Sequence, residues 1–190
     1  MKTLILNGSP RKKGDTASLV KLLTDNLTGE FRIVDCYSAG IFPCVDCRCC
    51  RKTPVCVIDD EMQEIYRYIE KCDNIAIASP IYFSELTGKL LDAASRFQLY
   101  YSAKYIRHEP IEIKPKRGAV ILAGGGSGST QQACNTARLI LSQVNAKDIF
   151  PPVCSHNTDK VPACEDRAAA EKILEIADFF NNNTNSISFC

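Results

Sequence analysis

The chain has 190 residues, 45% of them hydrophobic, which is enough for one domain with a substantial core. Its 23 basic and 22 acidic side chains nearly cancel, so neither nucleic acid nor a membrane surface is indicated as a partner. No apolar run approaches the length of a membrane span and no signal-like segment opens the chain, so the sequence predicts a cytoplasmic protein.

The first predicted element is a strand over 3–7 that passes through a tight loop into a helix over 16–27. A helix N-terminus exposes unpaired backbone N–H groups and the positive end of the peptide dipoles. Together with the hydroxyls of Ser9 and Thr16, the loop over 7–16 therefore predicts a phosphate site. The alternative is an ordinary turn whose polar residues only cap the helix. The loop matches neither the P-loop nor the Rossmann glycine pattern, and no Cys-x5-Arg phosphatase motif is present.

A second strand, predicted over 32–36, is followed by a long connection over 38–58 that carries five cysteines. Compact thiolate runs hold four-iron clusters because their ligands must converge on a small cube, whereas a zinc site usually has two Cys pairs. The alternative is that these thiols only pack the loop or face an active site. Four cysteines have the spacing Cys-x2-Cys-x2-Cys-x5-Cys and are the candidate metal ligands: Cys44, Cys47, Cys50 and Cys56.

A helix is predicted over 60–71 and a third strand over 74–79. The next helix is predicted over 85–98, and the tyrosine-rich segment 99–115 is predicted to be an excursion before the fourth strand. An apolar and aromatic run links the third strand to its helix: Pro80, Ile81, Tyr82 and Phe83.

The fourth strand, predicted over 118–123, ends in a glycine-rich turn. Glycines allow the backbone to approach a flat ring closely and to donate N–H groups, although the same composition is typical of a mobile loop. A helix over 130–144, a fifth strand over 148–153 and a helix over 165–180 complete the prediction. The turn consists of Gly124, Gly125, Gly126, Ser127 and Gly128.

The apolar patterns of the strands predict their order in the sheet. The first, third and fourth strands are continuously apolar and should be central. The second alternates, and the fifth meets Pro151-Pro152, so both belong at edges. With right-handed crossovers, this predicts an α/β flavodoxin-like three-layer sandwich with a five-stranded parallel sheet of order 2-1-3-4-5. We expect a single domain over 1–180 and a C-terminal tail over 181–190.

Eleven cysteines, an odd number, argue against a disulfide scaffold in a cytoplasmic protein. Several lie in or beside predicted strands and helices, where a free thiol behaves as a small core residue. These are Cys36, Cys72, Cys134 and Cys154.

The predicted topology places a ligand site at one edge of the sheet. Ligands of open parallel sheets bind beyond the carboxyl ends of the strands where the strand order reverses, here between the first and third strands. The loops over 8–15 and 80–84 leave those two strands, and the glycine-rich turn leaves the neighbouring one.

Gly8-Ser9-Pro10-Arg11 with Thr16, followed by Ser79-Pro80-Ile81-Tyr82-Phe83, resembles the flavodoxin-like NAD(P)H-dependent FMN reductase family over about residues 1–180. The cysteine segment is most similar to that of the iron-sulfur flavoproteins within it. The resemblance implies that Pro80, Ile81, Tyr82 and Phe83 line the isoalloxazine of FMN and that Ser9, Arg11, Asp15 and Thr16 surround its phosphate. Lys12, a nearby cation, and the turn residues Gly124, Gly125 and Gly126, placed here by the topology, complete the candidate cofactor site.

Asp15 departs from the Asn or Ser expected before that threonine. A carboxylate repels a phosphate unless it caps the helix from outside or pairs with Arg11 or Lys12.

The resemblance implies an oxidoreductase that takes hydride from NAD(P)H and passes electrons to a quinone, a flavin, another small acceptor or a redox protein. No catalytic side chain is assigned because the flavin carries the chemistry. The sequence does not distinguish NADH from NADPH. One alternative is an electron carrier with a [4Fe-4S] cluster on the four spaced cysteines, and another is a phosphate-ligand-binding or redox-sensing module. We also expect a homodimer or homotetramer in which the segment 99–115 covers the flavin.

Overall fold

The computed structural model describes residues 1–182, and its continuously apolar segments form a parallel sheet. The strand order is β2-β1-β3-β4-β5, with β6 also paired to β4. This confirms the predicted order and the flavodoxin-like fold. The strands are β1 (Lys2–Asn7), β2 (Glu30–Asp35), β3 (Asn74–Pro80), β4 (Lys116–Ala123), β5 (Ala146–Ile149) and β6 (Val153–Ser155).

The predicted fifth strand over 148–153 was wrong in one respect, because two short strands replace it. Pro151 and Pro152 lie between them, and proline has no N–H to donate to a sheet. The strand β5 pairs with the start of β4, and β6 pairs with its end at Ile121–Ala123. The chain therefore leaves β6 at the same edge of the sheet as it leaves β4.

Six α-helices cover the two faces of the sheet within the described part of the chain. The predicted third helix over 85–98 is shorter than expected, and the segment 99–115, predicted as an excursion before the fourth strand, begins as a helix of its own. The buried side chains of Leu99, Tyr100 and Ala103 explain this second helix. The helices are α1 (Asp15–Asp25), α2 (Met62–Lys71), α3 (Gly88–Ser95), α4 (Gln98–Tyr105), α5 (Gln131–Gln143) and α6 (Arg167–Asn181).

The core consists of two apolar layers, one on each face of the sheet. Helices α1 and α6 cover one face, and α2, α3, α4 and α5 cover the other. Cys36, Cys72 and Cys134 are buried as predicted, and Cys154 is partly buried. Burial raises the pKa of Cys36 to about 12 and that of Cys72 to about 11, so these thiols stay protonated near neutral pH.

The last helix extends one residue beyond the predicted domain end, to Asn181. Its side chain accepts hydrogen bonds from the Thr28 N–H (2.8 Å) and hydroxyl (3.0 Å) and donates to the Asn26 carbonyl (2.8 Å). The predicted tail over 181–190 otherwise lies almost entirely outside the described residues. Among the helices of residues 1–182, none has the length and apolarity required to cross a membrane.

Candidate functional site

The loops that leave β1, β3 and β4 surround an open cleft of about 210 Å³ at the carboxyl edge of the sheet. We call it the strand-end cleft. Most of the side chains predicted for the cofactor site meet here, together with two residues from the segment after β6. Its lining residues are Ser9, Arg11, Asp15, Thr16, Pro80, Ile81, Tyr82, Ala123, Gly125, Thr158 and Asp159.

The loop after β1 is held in place by its own polar groups. The Asn7 side chain accepts a hydrogen bond from the Ser9 N–H (3.0 Å) and donates to Asp35 (2.6 Å). The Gly8 carbonyl accepts from the Thr87 hydroxyl (2.8 Å), and a Cβ at Gly8 would lie 2.7 Å from that oxygen. Only glycine therefore fits this close approach, and the loop is fixed before any ligand binds.

The N-terminus of α1 is open towards the strand-end cleft. Gly14 occupies the N-cap position and has no side chain, so it offers no oxygen that could accept hydrogen bonds from the N–H groups of the first turn. Thr16 is buried in that turn. The Ser9 hydroxyl lies beside it and exchanges hydrogen bonds with the Arg11 backbone, both of 3.2 Å. These donors and the Arg11 guanidinium form a site suited to an anion.

The Asp15 carboxylate pairs with Arg11, one of the two cations expected to offset its charge. One carboxylate oxygen accepts a hydrogen bond from the Ala163 N–H (3.0 Å), and the other lies 3.4 Å from Arg11 Nη2. Its negative charge is therefore partly offset within the protein. Lys12 is exposed and lies outside the lining residues of the cleft, so its predicted contact with the cofactor stays a prediction.

The loop after β3 is a tight turn that presents an aromatic ring. The backbones of Tyr82 and Glu85 form two reciprocal hydrogen bonds of 3.0 Å. Between them, Phe83 and Ser84 have φ values of 53° and 63°, the pattern of a type I′ turn. A positive φ is uncommon for a bulky residue. The Phe83 side chain is fully exposed and lines a second recess beside Gly124 and Gly126.

Three lining residues were not predicted from the sequence: Ala123 at the end of β4, and Thr158 and Asp159 after β6. Thr158 and Asp159 come from a segment that was not expected at the site. Their backbone N–H groups donate to the carbonyls of Gly124 (3.0 Å) and Gly125 (3.4 Å), so the segment after β6 runs along the glycine-rich turn. A Cβ at Gly125 would lie 2.5 Å from the Asp159 carboxylate. The only sequence signal was Pro151-Pro152, because the split strand is what returns the chain to this edge.

The connection over 38–58, which we call the thiol loop, lines a second, small cavity of about 40 Å³. All four predicted ligands line this thiol cavity: Cys44, Cys47, Cys50 and Cys56. Cys49 is not among its lining residues, and the adjacent Cys47 side chain raises the pKa of the Cys49 thiol. Within residues 1–182, no three His, Cys, Asp or Glu side chains form a group that could hold a metal ion. The structure thus brings the thiols to one cavity without a preformed single-ion site.

A buried arginine that the sequence analysis missed also lines the thiol cavity. Arg96, between α3 and α4, has a fully buried side chain and forms an ion pair of 2.6 Å with Asp60. Burial alone would raise the pKa of Asp60, but hydrogen bonds from Arg96 and from the N–H groups of Phe42 and Met62 lower it below the usual value of an aspartate. The pair is therefore charged at neutral pH.

Comparisons with known proteins agree with this geometry. The family described as NADPH-dependent FMN reductase matches residues 1–160. An iron-sulfur flavoprotein of Methanosarcina thermophila is 29% identical over 135 residues, which is 70% of this chain and 68% of that protein.

Two solved structures have the same fold. An azoreductase from Bacillus anthracis superposes with a TM-score of 0.71 at 14% identity, covering 95% of this chain and 100% of that one. An FMN-dependent NADH-azoreductase from the same species, in complex with FMN, gives a TM-score of 0.68 at 14% identity, covering 95% and 99%. Since the family match extends over most of the chain, the protein belongs to the NADPH-dependent FMN reductase family and is an oxidoreductase.

Proposed function

We propose that the strand-end cleft binds FMN and that the protein uses it to pass reducing equivalents from NAD(P)H to a small acceptor such as a quinone or a free flavin. One observation carries the proposal. An uncapped helix N-terminus, an apolar and aromatic strand end and a glycine-rich turn converge on one cleft. A dianionic phosphate and a flat ring system require these three surfaces.

The phosphate end of the cleft fits the chemistry of its donors. The first-turn amides of α1, the Ser9 and Thr16 hydroxyls and the Arg11 guanidinium would hold the phosphate. The Asn7 and Thr87 hydrogen bonds already fix the loop, so little ordering is needed on binding.

The other end of the cleft fits a flat ring. Pro80, Ile81 and Tyr82 form one wall, and the backbone of Gly124 and Gly125 approaches from the neighbouring strand. These residues would orient the isoalloxazine and exclude water from one face. FMN, when bound, supplies hydride acceptance and one- or two-electron release.

A matched pair of variants tests the phosphate contact. Arg11 lines the cleft, whereas its neighbour Lys12 does not, so Arg11→Ala should weaken FMN binding about three- to tenfold and Lys12→Ala less than about twofold. Fluorescence titration of the flavin-free protein measures both. Equal losses of FMN affinity in the two variants would show that the phosphate binds elsewhere.

Steady-state kinetics test the reductase activity itself. The FMN-bound protein should oxidise NADH or NADPH with a quinone, a flavin or an azo dye and no second protein. A protein that takes up no FMN, or that requires a donor protein for turnover, would contradict the reductase proposal.

The thiol cavity favours a second candidate, an electron carrier with a [4Fe-4S] cluster. Four cysteines with the predicted spacing line one cavity together with a buried guanidinium, which suits a net-negative cluster. Cys44, Cys47, Cys50 and Cys56 would be the ligands, and the cluster would supply one-electron transfer. Analysis of iron, acid-labile sulfide, zinc and flavin after anaerobic purification tests it. About four irons per chain support this candidate, and flavin without iron or zinc supports the simple reductase.

A further inference from the structure

Arg96 joins the two ends of the thiol loop through one side chain. Its Nη1 donates to the Phe42 carbonyl (2.9 Å) and to Asp60 (2.6 Å), and its Nη2 donates to the Ile58 carbonyl (3.2 Å). Phe42 and Ile58 lie on either side of the four spaced cysteines. A rigid, planar guanidinium can hold the two ends of the loop at a fixed separation.

The same guanidinium also contacts sulfur. Nη2 lies 3.3 Å from Cys56 Sγ, which is within the distance of an N–H···S hydrogen bond. Within residues 1–182, the buried Nε of Arg96 has no hydrogen-bond partner. A buried donor without a partner is costly, and Arg96 also lines the thiol cavity. The Arg96 side chain therefore has an unpaired N–H donor and lines a cavity suited to an anion.

We propose that Arg96 is a positioning residue of the metal centre, which holds Cys56 through an N–H···S hydrogen bond and raises the reduction potential of a cluster bound there. The proposal rests on the iron-sulfur candidate. Hydrogen bonds to ligand sulfurs, together with a fixed positive charge, stabilise the reduced form, which has one more negative charge than the oxidised form.

A second arginine beside the same loop provides the matched control. The Arg107 side chain is nearly buried and donates to the backbone carbonyl of Cys50, not to a sulfur, and its Nε lies 3.7 Å from Glu109. Within residues 1–182 its buried Nε and Nη2 also have no hydrogen-bond partner, so the two arginines differ in the contact with sulfur and not in having an unpaired donor. Both arginines place a guanidinium next to a proposed ligand, but only Arg96 has a hydrogen bond to sulfur. An effect of charge alone should appear in variants of both, and an effect of the N–H···S bond only in variants of Arg96.

The experiment uses the FMN-bound chain with its cluster reconstituted anaerobically. Arg96→Lys keeps the charge beside Asp60 but removes the fork that reaches Cys56, and Arg107→Lys is the control. Redox titrations followed by electron paramagnetic resonance should show a more negative cluster potential for Arg96→Lys and a smaller shift for Arg107→Lys. The titration of the flavin in the same samples serves as an internal reference.

A measurement on the unmodified sequence keeps the test decisive if Arg96→Lys fails to fold or to bind iron. Protein labelled with ¹⁵N-arginine should show a ¹⁵N coupling to the reduced cluster in pulsed resonance spectra. Arg107→Lys should retain the coupling, and so should Arg48→Lys and Arg51→Lys, which change the other two arginines that line the thiol cavity. A loaded cluster without this coupling, or equal potentials in both variants, overturns the role of Arg96 while the cluster stands. Failure of the unmodified protein to take up iron overturns the cluster and the proposal together.

Discussion

Asp60 connects the pH dependence of stability to the thiol loop at the scale of a single residue. Its side chain is 3% exposed and accepts hydrogen bonds from Arg96, from the Phe42 N–H (2.9 Å) and from the Met62 N–H (3.0 Å). It therefore neutralises a buried arginine, orders the start of the thiol loop and caps α2. All three interactions depend on the negative charge of the Asp60 carboxylate.

We predict that Asp60→Asn lowers the free energy of unfolding by about 3–5 kcal/mol at neutral pH, because Arg96 is left with a buried uncompensated charge. The pKa of Asp60 in the folded protein is lowered from its usual value by the hydrogen bonds it accepts, so its stabilising contribution is complete above the unfolded pKa and is lost as the pH falls through the folded value. Urea unfolding at several pH values should show the difference between the two proteins narrow below about pH 4.

Asp25→Asn is the control for that measurement. Asp25 forms a 2.7 Å ion pair with Lys21 on the surface of α1, and both side chains are more than half exposed. Its loss should change the stability by less than about 1 kcal/mol. If Asp60→Asn had an equally small effect, the buried pair would not hold the thiol loop.

Individual residues also mark the limit of what the sequence could predict. Ser9, Arg11 and Tyr82 were found because they occur in short motifs next to strands, and topology alone brings those loops together. Arg96 and Asp159 have no such motif. Their positions depend on the packing of α3 against the thiol loop and on the path of the chain after β6, which no local pattern encodes.

At the scale of elements, continuous apolarity predicted the central strands correctly. Each of β1, β3 and β4 is buried on both faces, and such strands read as unbroken apolar runs. The predictions of strands and helices failed where tertiary contacts determine the secondary structure. The prolines correctly placed the fifth strand at the sheet edge but gave no sign that it is interrupted there and that a strand resumes at Val153. The start of α4 was missed because its amphipathic pattern is short, with four buried residues in a helix of eight.

In the turn after β3, the effect of backbone strain on stability can be separated from the contribution of Phe83 to FMN binding. Phe83 adopts a left-handed conformation that costs an L-residue roughly 1–2 kcal/mol. Asparagine tolerates that conformation, so Phe83→Asn should raise the free energy of unfolding by about 0.5–1 kcal/mol. Loss of the exposed ring beside the glycine-rich turn should at the same time weaken FMN binding. Urea unfolding of the flavin-free protein and fluorescence titration measure the two effects.

Phe83→Leu separates these causes because leucine keeps the unfavourable backbone conformation but removes the aromatic ring. It should weaken FMN binding like Phe83→Asn and bring no gain in stability. Unchanged FMN affinity in both variants would show that Phe83 does not face the cofactor, and the turn would then serve another surface.

At the scale of the whole molecule, the exposed aromatic residues of α4 support the proposed homodimer or homotetramer. Tyr101 and Tyr105 are 44% and 50% exposed, and their ring centroids lie 4.9 Å apart. Helix α4 also packs against the short helical turn Cys49–Arg51 of the thiol loop. A second subunit seated on this helix would therefore cover aromatic surface close to the thiol cavity.

We predict that the FMN-bound protein forms a dimer or tetramer in sedimentation experiments and that Tyr105→Glu shifts it towards monomer, because a charge buried without a partner opposes association. The control is Phe31→Glu on the edge strand β2, where an aromatic side chain of similar exposure (44%) lies on a different element. That variant should keep the assembly of the unmodified protein. A monomeric FMN-bound protein would exclude the assembly, and equal dissociation by both variants would move the interface away from α4.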